Sequence, residues 1–411
     1  MKQTSVREMR IEDYEPVVGT ETIDELRDLA RALENKRVVH VNATPVGGGV
    51  AEILKSEIPL LRSLGIDAEW WSLEAVDGFF DITKRMHNGL QSADVSFSDD
   101  DWDLYFDQLR INAKDLPAAD VIVIHDPQPM AIPTIDRVDA DAWIWRLHVD
   151  SSSPNHELWQ RLSSLLDPYS LVVFTIEPFA PPDVPADKRR FVAPAIDPLT
   201  DKNRSLPIGQ AFATVHSIGI DRCRPLISQI ARLDVWKDPW GVIDAYRLVK
   251  QNLPEVQLPL RGVIAAQDDL EAFDFHRDVA GYAGDDPDIH IFIDPAVIGE
   301  YEVAAVQTVS HLVFQKSIQE GFGLSVTEAL WKANPVIAGR VGGIPLQIQP
   351  GIGGYLVDSS EEAADRASEL LTDPPLAREL GAAGRNHVRD NFLITRLIRD
   401  ELLLYREALN L

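Results

Sequence analysis

Two glutamates eight residues apart, Glu320 and Glu328, bracket a glycine turn in the stretch 319–331, QEGFGLSVTEALW. The turn follows an apolar, strand-like run at 311–315 and leads into an apolar, helix-like run. Gly321 and Gly323 let the backbone turn tightly and come close to a ligand. A helix that starts there offers unbonded amides and the positive end of its dipole, which favour a phosphate. On one continuous helix that spacing would leave the carboxylates on different sides, so Glu320 is placed in the loop and Glu328 one turn in. Carboxylates beside a phosphate site suit hydroxyl recognition, one for a sugar and one for a ribose. A glycine turn ahead of an ordinary surface helix is the competing reading.

Two cations, Arg232 and Lys237, follow another strand candidate in 231–240, ARLDVWKDPW. At a strand's C-terminal end, opposite the glutamate loop, they would make a diphosphate clamp; plain surface charge is the alternative. Earlier, Gly47, Gly48 and Gly49 follow a buried strand at 37–42 and precede a helix at 50–64. Strand, glycine loop and helix open a nucleotide-type α/β domain. The dinucleotide fingerprint itself is absent, because the third glycine and the acidic ribose partner are missing. Polar groups also cluster just past strand ends: His125, Asp126 and Gln128; Arg146, His148 and Asp150; and Glu177. His148 and Asp150 alternate on an extended segment and so point to one side. Taken singly, each is more often a capping or core-satisfying residue. Together at one sheet edge they read as a site, since ligands bind at the C-terminal ends of parallel strands.

The elements that position these groups come in two series. Strands are expected at 68–73, 121–125, 143–149, 171–176 and 190–193 after the first at 37–42, with helical stretches between most of them. Residues 1–35 read as a polar surface lead-in, helical around 22–34. A proline-rich approach to a linker, 178–207, precedes a second series with strands at 225–230, 256–260, 289–293, 311–314, 335–338 and 355–357. Pro239 is placed to start a helix. Val341-Gly342-Gly343-Ile344 is a further glycine turn that either closes the site or only reverses the chain. The apolar helix at 392–409 would pack back on the first domain. The expected division is therefore 1–205 with 392–411, and 206–391.

Composition narrows the classes of function. A 411-residue chain with 45% hydrophobic and 25% charged residues is globular and too long for one ordinary core. Its 39 basic against 65 acidic side chains give a formal charge of −26, which argues against nucleic acid or an anionic membrane as partner. Any anionic ligand then needs a few well-placed cations. The single Cys223 excludes an intramolecular disulfide framework and fits a reducing cytoplasm. The first residues lack the apolar centre of a signal peptide, and no run is long enough to span a bilayer.

These residues together resemble the retaining GT-B glycosyltransferases of family 4, and within them the trehalose synthase and trehalose phosphorylase branch. The resemblance is carried by 40–54 (HVNATPVGGGVAEIL), 125–129 (HDPQP), 145–155 (WRLHVDSSSPN), 195–199 (AIDPL), 232–238 (RLDVWKD) and 315–323 (QKSIQEGFG). It implies an α/β GT-B fold, two Rossmann-like domains facing a central cleft. It also implies a nucleotide sugar held mainly by the second domain and an acceptor sugar held mainly by the first. Residue by residue, Arg232 and Lys237 would neutralise the diphosphate leaving group. Glu320 and the amides of Gly321, Phe322 and Gly323, with Leu324 beside them, would hold the donor glucose, and Glu328 the ribose. Gly48 and Gly49 would approach the phosphates or the acceptor. His148 matches the family's first-domain histidine near the donor sugar. Asp126, Arg146 and Asp150 would grip acceptor hydroxyls.

The chemistry implied is transfer of glucose from UDP- or ADP-glucose to free glucose with retention, giving trehalose, with the working direction left open. Arg232, Lys237, Glu320 and His148 are the candidate catalytic groups, with no cofactor and no essential metal. A homodimer is the implied assembly, and small sugars are the partners. Trehalose phosphorolysis is the main alternative, followed by a sugar-nucleotide isomerase and a non-catalytic nucleotide-sugar sensor. One departure stands out: residues 260–269 (LRGVIAAQDD) lack the more usual Val-Gly after the second strand of the second domain, and carry Arg261 instead.

Overall fold

The computed structural model describes residues 1–135, 138–262 and 270–411. They divide into two compact units, Met1–Ala195 with Ile394–Leu411, and Ile196–Leu393.

In the first unit, β2 (Arg37–Asn42), β3 (Asp67–Ser72), β4 (Ala119–His125), β5 (Ala140–Leu147), β6 (Leu171–Phe174) and β7 (Arg189–Phe191) pair in parallel in the order β3-β2-β4-β5-β6-β7. A short β1 (Lys2–Gln3) adds an antiparallel edge to β3. The strands are apolar on both faces, as a parallel sheet covered on both sides requires. Val39, Val41, Ile122, Ile124 and Trp145 enter one core. Val38, Val121, Val123 and Ile144 enter the other, under the helices Gly48–Ser63 and Ile394–Ala408. The period of two along a strand puts His40, His125 and Arg146 on that second face as well. Strand order reverses between β2 and β4, the place where ligands enter open parallel sheets.

The opening residues differ from the surface lead-in expected of them. Ile11, Tyr14, Ile23, Leu26, Ala30 and Leu33 are buried in the second core. Their three- and four-residue spacing within 23–33 makes an apolar stripe that a polar average conceals.

The second unit carries six parallel strands, β8 (Ile227–Ile230), β9 (Leu258–Arg261), β10 (Ile289–Phe292), β11 (Leu312–Gln315), β12 (Val336–Gly339) and β13 (Gly354–Val357), in the order β10-β9-β8-β11-β12-β13. This is the doubly wound order, and its reversal lies between β8 and β11. The unit begins at Ile196, earlier than the 205/206 division expected. The amide of Ile196 donates to the carbonyl of Phe392 at 2.9 Å, and Lys332 Nζ donates to the carbonyls of Lys202 and Arg204 at 3.0 Å each. These bonds attach 196–204 to the second unit. Arg261 ends β9, whereas 263–269, the rest of the departing connection, lie outside the described residues. Among the described residues no helix is long and apolar enough to cross a membrane.

Candidate functional site

The loops that follow β8 and β11 meet at the strand-order reversal of the second unit. Val235–Lys237 forms one turn of 3-10 helix, and the side chain of Gln229 in β8 holds its end by donating to the Lys237 carbonyl at 2.7 Å. Across from it, Lys237 Nζ donates to Glu320 Oε2 at 2.5 Å, and Ser317 Oγ donates to the same oxygen at 3.2 Å. The amide of Ile318 donates to the Trp236 carbonyl at 2.9 Å. Lys316 adds a second ion pair, to Asp238. Asp238 takes a left-handed φ of 47° and caps the helix Pro239–Asn252, accepting the Gly241 amide at 3.0 Å. Two lysine–carboxylate pairs and a backbone bond therefore fix one loop against the other.

Glu320 lies in the loop, and the helix Leu324–Trp331 begins after Gly323, whose φ of 85° suits glycine. The first amides of such a helix have no intrahelical acceptor. Gly342 and Gly343 pack directly beneath the turn. A Cβ on Gly342 would stand 2.0 Å from the Glu320 carbonyl oxygen, and Gly342 takes a φ of 56°. The Gly343 amide donates to the Gly321 carbonyl at 2.7 Å. Buried Gln347 completes the support, donating to the Phe322 carbonyl at 2.6 Å and accepting from Thr327 Oγ1 at 2.7 Å. The second glycine turn thus holds the first in place.

Glu328 is 2% exposed and pairs with Lys202 Nζ at 2.5 Å. Arg232 stands apart from Lys237 and Glu320: its side chain is 73% exposed and its carboxylate partner is Asp234 at 3.3 Å.

In the first unit, Gly47, at the end of the loop after β2, and Gly48 and Gly49, which open the helix Gly48–Ser63, are exposed. Gly47 and Gly48 both take φ of 75°, and a Cβ on either would meet nothing within 4 Å. Conformation, not crowding, requires glycine there. Within β2, at the end of β4 and just past β5, three imidazoles form a line. His40 Nδ1 meets His125 Nε2 at 3.0 Å, and His125 Nδ1 meets His148 Nε2 at 3.0 Å. The rings stack with centroids 5.2 and 5.3 Å apart. His40 Nε2 meets the Tyr405 hydroxyl at 2.9 Å, with Glu57 Oε1 at 3.7 Å. Burial lowers His40 to about 3, and burial with the neighbouring imidazoles holds His125 well below the usual range. Burial raises Glu57 to about 7, against the pull of Arg146.

Asp126 has the positive φ of 62° unusual for a non-glycine residue. Its Oδ1 accepts the His148 amide at 2.9 Å, and its own amide donates to the Arg146 carbonyl at 2.9 Å. It therefore fixes the segment that carries His148. Asp150 accepts the Ser152 amide at 2.9 Å in a local turn. Arg146, expected to grip an acceptor hydroxyl, is held elsewhere in this structure. Its side chain is 2% exposed and paired with Glu401 of the helix Ile394–Ala408, so strand alternation turns the guanidinium into the core.

Sequence reasoning missed Ser317, Gln347, Lys202, Glu57, Glu401 and Tyr405. Glu401 and Tyr405 carried a signal, since they share an i, i+4 row with Leu397 on an apolar stripe.

Residues 40–181 match the family model for the trehalose synthase N-terminal domain, and 214–387 that for glycosyl transferases group 1. The chain is 44% identical to a trehalose synthase of Rubrobacter xylanophilus over 97% of its own length and 96% of that protein. It is 30% identical to a trehalose phosphorylase of Pleurotus pulmonarius over 92% of its length and 58% of that protein. In fold it resembles a UDP-forming α,α-trehalose-phosphate synthase from Burkholderia xenovorans, with a TM-score of 0.70 at 15% identity, covering 92% of this chain and all of that one.

Proposed function

Because the chain belongs to the trehalose synthase family of GT-B glycosyltransferases, we propose that it moves glucose from UDP- or ADP-glucose to the anomeric hydroxyl of free glucose, keeping the α configuration and giving trehalose. The observation that carries this reading is the Lys237–Glu320 pair beside the amides at the start of the Leu324–Trp331 helix. A cation and free amides suit a departing diphosphate, and a carboxylate suits sugar hydroxyls. The UDP-forming fold relative supports a nucleotide as leaving group.

In this reading the second unit takes the donor and the first takes the acceptor. Lys237, with Arg232 swung in from solvent, neutralises the diphosphate. Glu320 and the amides of Gly321, Phe322, Gly323 and Leu324 hold the glucose. Glu328 receives the ribose once the flexible Lys202 side chain moves aside. Gly48 and Gly49 let the backbone approach the ligand, while His148, placed by Asp126, faces the sugars and Asp150 contributes an acceptor contact. The bond from C1 to the diphosphate oxygen breaks as the acceptor oxygen bonds C1 on the same face. The acceptor's proton passes to the departing phosphate oxygen. Catalysis rests on stabilising leaving-group charge and on alignment. Two side-chain cations replace a metal in this scheme, so turnover in excess EDTA should match the untreated rate; loss of activity restored by a divalent cation would overturn that part.

Phosphorolysis of trehalose is the second reading, favoured by the phosphorylase relative. Product analysis separates the two. Trehalose and a nucleoside diphosphate from UDP- or ADP-glucose plus glucose support the synthase, and the better donor names the base. Glucose 1-phosphate from trehalose and phosphate, with no product from the nucleotide sugars, replaces it with the phosphorylase.

A further inference from the structure

The line of imidazoles in the first unit has two unlike ends. The inner end is the phenol of Tyr405, fully buried. The outer end is His148 Nδ1, which makes no hydrogen bond among the described residues. A neutral imidazole carries one ring proton, so one nitrogen donates and the other accepts. In a linked line, the direction of one bond therefore decides all the others.

Tyr405 decides it. Burial keeps its hydroxyl protonated, far above its ordinary range, and a buried hydroxyl that donates to nothing costs about 1–3 kcal/mol. His40 Nε2 is the acceptor at bonding distance, 2.9 Å. The rival acceptor, Glu57, acts on the phenol only from farther off: neither of its carboxylate oxygens has a partner at hydrogen-bonding distance. With Nε2 accepting, the His40 proton lies on Nδ1 and goes to His125 Nε2. The His125 proton then lies on Nδ1 and goes to His148 Nε2, which leaves the His148 proton on Nδ1.

We propose that Tyr405, acting through His40 and His125, fixes His148 as its Nδ1–H tautomer, so that His148 presents a donor, and not an acceptor, to a sugar hydroxyl oxygen. Tyr405, His40 and His125 are positioning residues for His148. The sugar as recipient rests on the function proposed above; the tautomer does not.

The test is a long-range proton–nitrogen correlation spectrum of the full-length protein with ¹⁵N-labelled histidine at neutral pH, His148 being assigned by its loss in His148→Gln. The expected pattern has Nδ1 protonated and Nε2 bare. In Tyr405→Phe, His40 Nε2 loses its donor, and the His148 signals should move toward the Nε2–H form. An Nε2–H tautomer or a doubly protonated ring in the wild type overturns the proposal, as does a spectrum unmoved by Tyr405→Phe. If that variant does not fold, the wild-type tautomer alone decides. The spectrum needs no substrate, so absence of trehalose formation would remove the proposed function and leave the tautomer assignment intact.

Discussion

Lys237 Nζ lies 2.5 Å from Glu320 Oε2, bridging the two loops at the strand-order reversal of the second unit. Both side chains are nearly buried, 12% and 11% exposed. The pair ties the two loops together and, in the proposed reaction, offers one charge of each sign to the ligand.

Lys237→Ala and Glu320→Ala should each lower kcat by about 10²–10³ while leaving the circular dichroism spectrum native. The double variant should lose far less than the product of the two, because the residues act as a unit. A single variant that turns over at the wild-type rate would remove that residue from the chemistry.

Gly342→Ala puts a methyl against the Glu320 carbonyl at a φ of 56° that L-residues rarely adopt. It should cost more than about 2 kcal/mol or displace the glutamate turn. Urea unfolding together with donor KM reads both outcomes. Unchanged values for both would show that the second glycine turn does not support the first.

Arg146→Ala should destabilise by about 3–5 kcal/mol, since it strands the buried Glu401 and leaves Glu57 without its nearest cation. Replacing Arg146 and Glu401 together with Met and Leu should recover much of that loss. A variant of native stability with a raised acceptor KM would instead return Arg146 to the sugar site.

Acidification should weaken the fold through His40 and His125. Both are held neutral in the folded state, His40 at about 3 against an ordinary 6.5. The unfolded chain therefore gains their protons as pH falls through 6.5. Glu57 runs the other way: raised to about 7 from 4.5, its contribution is full below 4.5 and lost as pH rises through 7. Near pH 5.5 these two histidines, joined by His148, which burial also holds well below its ordinary range, outweigh Glu57, so stability should rise with pH. Glu57→Gln removes the opposing contribution and should steepen that slope. Equal slopes in denaturant titrations would exclude Glu57 from the balance.

The glutamate turn was legible because its chemistry is local. Glycine at 321 and 323, a strand before and a helix after are all visible within 311–331. Strand alternation even marks the face shared by His40, His125 and Arg146. What that face meets was not legible. Glu57 comes from a helix whose other residues read as ordinary core, and Glu401 lies 255 residues beyond Arg146. Nothing in the pattern around Arg146 distinguishes a guanidinium that faces a ligand from one that faces a distant helix. The same holds for Lys202, which sits in a proline-rich approach and reaches Glu328 only through the bonds of 196–204 to the second unit.

The helix Ile394–Ala408 returns to the first unit after the whole of Ile196–Leu393 has been made. At about 5–20 residues per second a ribosome takes roughly ten to forty seconds over that interval. Throughout it, Arg146 has no Glu401, His40 has no phenol, and the face beneath Leu397, Ile398 and Leu402 is bare. The second unit has all its strands in one continuous segment and can fold while the first waits. The part of the protein translated first is thus the last to be completed, and for that time it presents an open apolar surface suited to a chaperone.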